Sequence, residues 1–275
     1  MIEFITDLAE YGFLQRALIA GVIVGISCSL LSSFVVLKKM AFIGHGISHG
    51  AFGGVALGLM LGVNYNITAF LFTLLVAFLI WLFSRKRKVS EDSAIGILLV
   101  SSMALGILFL GSRTDVFGYL FGSILSVSVT DIWVIAITGL VILLVVLFFF
   151  KEILFFLFDP DSAAVAGLRV DIYQLLLLTL LSLTIVISIK VVGIILVSSY
   201  LIITGATAAL LTNDLKKMIF FSVLIGVTAS VTGLVLSNSY NVPSGAGIVL
   251  SMVVFFLVVL GITHIIKRKR KVTAA

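Results

Sequence analysis

The chain has 275 residues, of which 61% are hydrophobic and 11% charged, and its mean hydropathy is +1.34. Ordinary globular domains carry about 25% charged residues, so this chain lacks the polar surface a water-soluble fold requires, and the bilayer is its expected solvent. The formal net charge of +6 is no sign of nucleic acid, because the basic residues gather in the short segments between apolar runs.

The first dozen residues set Glu3, Asp7 and Glu10 among Ile2, Phe4, Ile5 and Leu8. This pattern suits an interfacial helix, and its acidic character is the wrong polarity for a signal peptide. Nine apolar spans are then expected, at roughly 17–37, 45–62, 66–84, 93–111, 131–150, 171–189, 192–211, 216–236 and 244–266, each near the ~20 residues that cross a bilayer. The fold class is all-α, a polytopic membrane helix bundle forming one transmembrane domain over 1–275.

Within the first span, Cys28 is the single cysteine. It excludes an intramolecular disulfide and a multi-cysteine metal cluster, and it reads as packing. The second span opens GHGISHGAFGGVALGLMLG at 44–62. Gly46, Gly50, Gly54, Gly58 and Gly62 recur every four residues, which on a helix makes one smooth stripe for close helix packing. The stripe serves either as a fixed interface or as a sliding surface in alternating access. His45 and His49 lie one above the other beside it. Imidazole ligates first-row metals when neutral, and His at i and i+4 can share one ion. The same pair could simply cap or pack the start of the span, and spacing alone leaves both readings open.

Ser90, Glu91 and Asp92 are expected to start the fourth span, and Asp131 to cap the fifth. Between spans five and six, KEILFFLFDPDSAAVAGLRVD places Asp159 as an N-cap, Pro160 at the first helical position and Gly167 at the left-handed end of a short helix. That helix is either an ordinary capped connector or the grip of an energy-coupling ATPase. Residues 172–211 are almost unbroken apolar sequence. A single helix of that length would run about 60 Å, twice the hydrocarbon thickness, so a break near Lys190 is required. His264, just before KRKRK, reads as interfacial, and the basic tail serves topology or touches anionic lipid.

With Lys38 and Lys39 in the cytoplasm and sides alternating, 15 of the 18 basic residues fall inside; the exceptions are Arg16, Arg113 and Lys190. This positive-inside split predicts an extracytoplasmic N-terminus, a cytoplasmic C-terminus and a multi-pass cell-membrane protein. No Asp, Glu, Lys or Arg lies in the middle of any expected span, which counts against an ion-coupled carrier and against an intramembrane hydrolase. No GxxxxGK[ST] nucleotide loop occurs, so ATP-driven work needs an ATPase on another chain.

Several blocks agree in order along the chain. VVLKKMAFIGHGISHGAFGGVALG, GYLFGSILSVSVTD, FDPDSAAVAGL, VVGIILVSSYLIITGATAALL and SNSYNVPSGAGIVL resemble the permease subunits of zinc/manganese-type ABC importers. The resemblance implies a fold similar to large-permease ABC importers. It also implies a homodimer, a cytoplasmic ABC ATPase that grips Asp159, Pro160, Asp161, Ala163, Ala164 and Gly167, and an extracytoplasmic metal-binding protein. The chain itself would be no enzyme and would hold no permanent cofactor; zinc or manganese would be its cargo, and His49 would match the family histidine. The chain departs from the family in carrying His45 where many members have Asp, and Thr204 where many have Pro. A carboxylate-to-imidazole change moves a site from hard toward borderline metals. Iron or iron-chelate import by the same architecture, a self-contained metal channel or carrier, and a non-transporting assembly factor are the alternatives.

Overall fold

The computed structural model describes residues 2–85, 90–111, 120, 122, 127–240 and 242–273. Lys86, Arg87, Lys88, Arg113 and much of the GYLFGSILSVSVTD block lie outside the described residues. Twelve α-helices, and no strand among the described residues, run in the order α1 Ile2–Glu10, α2 Gly12–Leu37, α3 Ile43–Leu61, α4 Tyr65–Arg85, α5 Glu91–Leu110, α6 Val129–Phe148, α7 Phe150–Phe158, α8 Pro160–Val165, α9 Val170–Val192, α10 Ile194–Leu211, α11 Leu215–Tyr240 and α12 Ser244–Thr273.

Seven of these are long and apolar enough to cross a membrane: α2, α4, α5, α6, α9, α11 and the Ser244–Ile266 part of α12. The expected nine spans are therefore corrected to seven by this measure. The other two expected spans are α3 and α10. Six glycines and two histidines dilute the 19-residue α3, and the apolar part of α10, Leu196–Leu211, is shorter than a span. Both are largely enclosed by other helices, and a helix that faces protein rather than lipid needs less continuous apolarity. α12, at 30 residues, is about 45 Å long and runs beyond the expected end at 266.

Local chemistry sets the helix ends. Ser90 caps α5 by accepting from the Ser93 amide, with Glu91 and Asp92 in the first turn facing the positive end of the helix dipole. At α6 the N-cap is Ser128, not Asp131: Asp131 is the third helical residue and its carboxylate accepts from the Ser128 amide, closing a capping box. The break in the 172–211 stretch falls at Gly193, three residues past Lys190. Its φ of 92° is open to glycine and strained for other residues. A Cβ on Gly122 would lie 2.6 Å from the backbone of Val192 and Gly193, so Gly122 closes on the break.

α2 and α9 are the most buried of the apolar helices and α6 the most exposed. α9 packs against α2, α3, α4, α6 and α10. α2 meets α10 and α11 through small residues and hydroxyls. Tyr200, fully buried, shares hydrogen bonds of 2.5 Å with the Gly226 carbonyl and Ser230 Oγ, and Ser230 donates to the Gly21 carbonyl. Ser222 donates to the Ser29 carbonyl, and Ser32 accepts from the Gly205 amide. In lipid, where water does not compete for these groups, such bonds and close backbone approach supply much of the helix association.

Candidate functional site

α3 is built to be approached closely on one side. A Cβ on Gly46 would lie 2.6 Å from Ile95 Cγ2 on α5. One on Gly50 would lie 3.0 Å from Val76 Cγ2 on α4. One on Gly54 would lie 2.6 Å from Ala69 Cα, and one on Gly58 would lie 2.8 Å from Tyr65 Cα. Gly53 and Gly106 add close approaches between α3 and α5. Gly62 does not belong to this stripe: it ends α3 with φ of 68° and faces open space. The four-residue spacing hid the change of role, since a left-handed cap also favours glycine.

His45 and His49 stand on α3 with ring centroids 6.1 Å apart and planes inclined by 12°. Both are half-buried, whereas Gly44, Gly46, Ile47, Ser48 and Gly50 around them are buried. Ser48 turns its hydroxyl back onto the His45 carbonyl at 3.0 Å. Two parallel imidazoles one turn apart present two nitrogen donors to a shared space. No group of three or more His, Cys, Asp or Glu able to hold a metal occurs among the described residues, so one copy of the chain supplies a partial ligand set. Cys28 is elsewhere, buried in α2 against Ser188 Oγ at 3.3 Å. His264 is exposed on α12.

The short helix α8 follows its sequence signals. Asp159 accepts from the Ser162 amide at 2.9 Å, Pro160 occupies the first turn, and Gly167 has φ of 88°. The Ser162 hydroxyl and amide hold the Asp159 carboxyl below its ordinary pKa. Ala163 is buried and anchors α8 to the bundle, while Asp161 and Ala164 are exposed. Val165, 91% exposed, is the apolar knob of this helix. A lone valine in a connector carries no motif, so nothing in the sequence singles it out.

Polar links tie this end of the bundle together. Arg85 at the end of α4 meets Asp171 at the start of α9 at 3.2 Å, and Gln174 donates to Glu91 at 2.8 Å. The Lys38 ammonium lies 4.0 Å from the centre of the Phe156 ring, and burial holds its pKa below the ordinary lysine value despite the Glu91 carboxylate. α8, the start of α3, the end of α4 and the start of α5 thus share one end. At the other end, Lys190 pairs with Asp131 at 2.7 Å, Arg16 donates to the Val127 carbonyl at 3.2 Å, and Asn238 donates to Asp7 at 3.0 Å.

Residues 10–263 match the ABC 3 transport family. The chain belongs to the ABC 3 transport family. It is 40% identical to the "Manganese transport system membrane protein MntC" of Halalkalibacterium halodurans over 90% of this chain and 86% of that protein. It is also 40% identical to the "Manganese import system permease protein ScaB" of Streptococcus gordonii, over 93% of each. Among solved structures, "PsaBC from Streptococcus pneumoniae in complex with Fab" superposes with a TM-score of 0.85 at 42% identity, covering 94% of this chain and 95% of that one. As an ABC 3 family permease, the chain is an all-α, multi-pass membrane protein whose relatives are transport components rather than enzymes.

Proposed function

We propose that this permease carries divalent metal inward, with manganese as its principal cargo, in an importer driven by ATP hydrolysis on a partner chain. The observation that carries the cargo is the pair of manganese-named relatives, each 40% identical over 90% or more of this chain. Family membership and the absence of a nucleotide loop support a separate ATPase. α8, with Asp159, Pro160, Asp161, Ala163, Ala164 and Gly167 as its frame and Val165 at its tip, is the segment it would grip. An extracytoplasmic metal-binding protein delivers the ion, and a second copy of the chain completes the permease.

In this reading His45 and His49 meet the ion in transit. Two copies about a two-fold axis bring four imidazoles, enough to hold an ion briefly. The partial set within each copy avoids a site too tight to leave. The clustering of Lys38, Arg85 and α8 at one end supports placing that end in the cytoplasm, with the N-terminus outside and the C-terminus inside.

A second reading, zinc, has one observation in its favour: imidazole suits zinc better than it suits manganese, which favours oxygen ligands. Uptake in vesicles containing permease, ATPase and metal-binding protein separates the two. His49→Ala is expected to lower uptake ~10-fold or more, since losing a ligand weakens a site at least as much as losing one of its outer partners. His45→Asp is expected to keep manganese uptake and relieve inhibition by zinc. Wild-type uptake in both variants and in the double Ala variant would remove the histidines from the pathway. A permease that prefers zinc without manganese transport would overturn the cargo.

A further inference from the structure

A groove of about 400 Å³ lies far from the histidine pair, between α4 and α6 with α9 as its floor. Its apolar part is formed by Phe70, Val134, Leu183, Val186 and Ile187, and its polar groups are Asn64, Asn66, Asp131 and Lys190, with Thr138 deeper in. The polarity is ordered along the helices. Asn64, Asn66, Asp131 and Lys190 sit where α4 and α6 begin and α9 ends, at the level of one membrane–water interface. From Asp131 to Thr138, and from Lys190 back to Leu183, is about 10 Å, roughly a third of the hydrocarbon thickness. Val134 is 54% and Ile67 58% exposed on the rim, so the groove opens sideways toward lipid.

A space that is apolar in its depth and charged at its interfacial end matches an amphiphile. The charged end is itself a pair: the Lys190 ammonium lies 2.7 Å from Asp131, with the Tyr65 hydroxyl as a further partner of Lys190. Both members of the pair line the groove. A headgroup that carries a phosphate beside an ammonium complements this pair in both signs, whereas a purely anionic headgroup would repel Asp131.

We propose that this groove binds one zwitterionic phospholipid, its phosphate toward Lys190 and the Asn64 and Asn66 amides, its ammonium toward Asp131, and one acyl chain along α9. Lipid tails are as apolar as the walls, so the chain gains only packing. The headgroup therefore carries the selectivity. The site does not depend on which metal the permease moves.

The test places the permease in nanodiscs with a phosphatidylethanolamine that bears a photoactivatable diazirine in its acyl chain. Cross-links are mapped by mass spectrometry. Labelling is expected to concentrate on Phe70, Val134, Leu183 and Val186. Unlabelled phosphatidylethanolamine should displace it at roughly tenfold lower concentration than diacylglycerol, the worth of a charge-assisted hydrogen bond, with phosphatidylglycerol in between. Val134→Trp, at an exposed position, should bring labelling of Leu183 and Val186 to background. The paired change Lys190→Met with Asp131→Asn should erase the headgroup preference. Uniform labelling of all lipid-facing helices, or equal displacement by the three competitors, would each overturn the proposal. The competitor series needs only the wild-type protein.

Discussion

Replacing Gly54 by Ala adds one carbon where α3 and α4 touch, and the structure fixes how badly it fits. The new Cβ would lie 2.6 Å from Ala69 Cα, 2.7 Å from the Thr68 carbonyl oxygen and 2.7 Å from Phe72 Cβ, whereas ordinary contact begins at 3.4 Å. The shortfall at Ala69 is therefore about 0.8 Å. Two of the three obstacles are backbone, so no rotamer change relieves them and the helices must part. Overpacking of this kind costs about 1–3 kcal/mol. Alanine's better helix propensity returns ~1 kcal/mol, which leaves a net loss of roughly 0–2 kcal/mol. Gly96 on α5 is the control: a Cβ there meets nothing within 4 Å, so Gly96→Ala should stabilise by ~0.5–1 kcal/mol. Thermal unfolding of the detergent-solubilised protein, followed by loss of the monodisperse peak, ranks the variants. Gly54→Ala should fall by up to about 8 °C, while Gly96→Ala holds or rises. A Gly54→Ala protein as stable as Gly96→Ala would refute the close-packed account of the stripe.

Three further outcomes are expected. Val165→Asp should leave the permease folded, because the side chain is 91% exposed, yet weaken co-purification of the ATPase about tenfold or more, as loss of an interface anchor does; undiminished co-purification would take Val165 out of the contact. Tyr200→Phe removes the hydroxyl shared by Gly226 and Ser230 and should lower stability by about 1 kcal/mol in the same thermal assay; no change would show that Ser230 alone satisfies the Gly226 carbonyl. Ser162 depresses the Asp159 pKa in the folded state, so the cap's contribution is fully present above the ordinary carboxylate pKa near ~4 and fades as pH falls through the lower folded value. The protection of the α8 amides, taken relative to their intrinsic exchange rates at each pH, should therefore fall only below about pH 4, and a fall between pH 5 and 7 would contradict the sign.

The helices that face lipid were legible because their requirement is local. Each must keep its backbone satisfied within itself and present apolar side chains over ~20 residues, and such runs are visible in any sequence. The turns at Asp159–Pro160 and Ser90 were legible for the same reason, since caps act within one turn. Gly62 and Asp131 were misassigned because a residue type serves more than one local role: glycine packs or caps, and Asp caps or completes a capping box. The small residues of α2, among them Gly21, Gly25, Ser29 and Ser32, carried a signal of the same kind as the α3 stripe and could have been read from it. What they pack against depends on α10 and α11, 193 and 209 residues away in two pairs.

The amino-acid sequence by itself determined that the chain lives in a bilayer, roughly where its apolar runs lie, and which segments between those runs gather the positive charge. Those are matters of composition and of interactions within a turn or a span. Only the tertiary structure decided that α3 turns its glycines to α4 and α5 while leaving two stacked imidazoles half-open. It also decided that Lys190 meets Asp131 above an apolar groove, and that Ala163 is the buried anchor of α8 with Val165 as its exposed tip. Facing is settled by which distant helix fills each side, and helical periodicity can place residues on one stripe without saying what the stripe will touch.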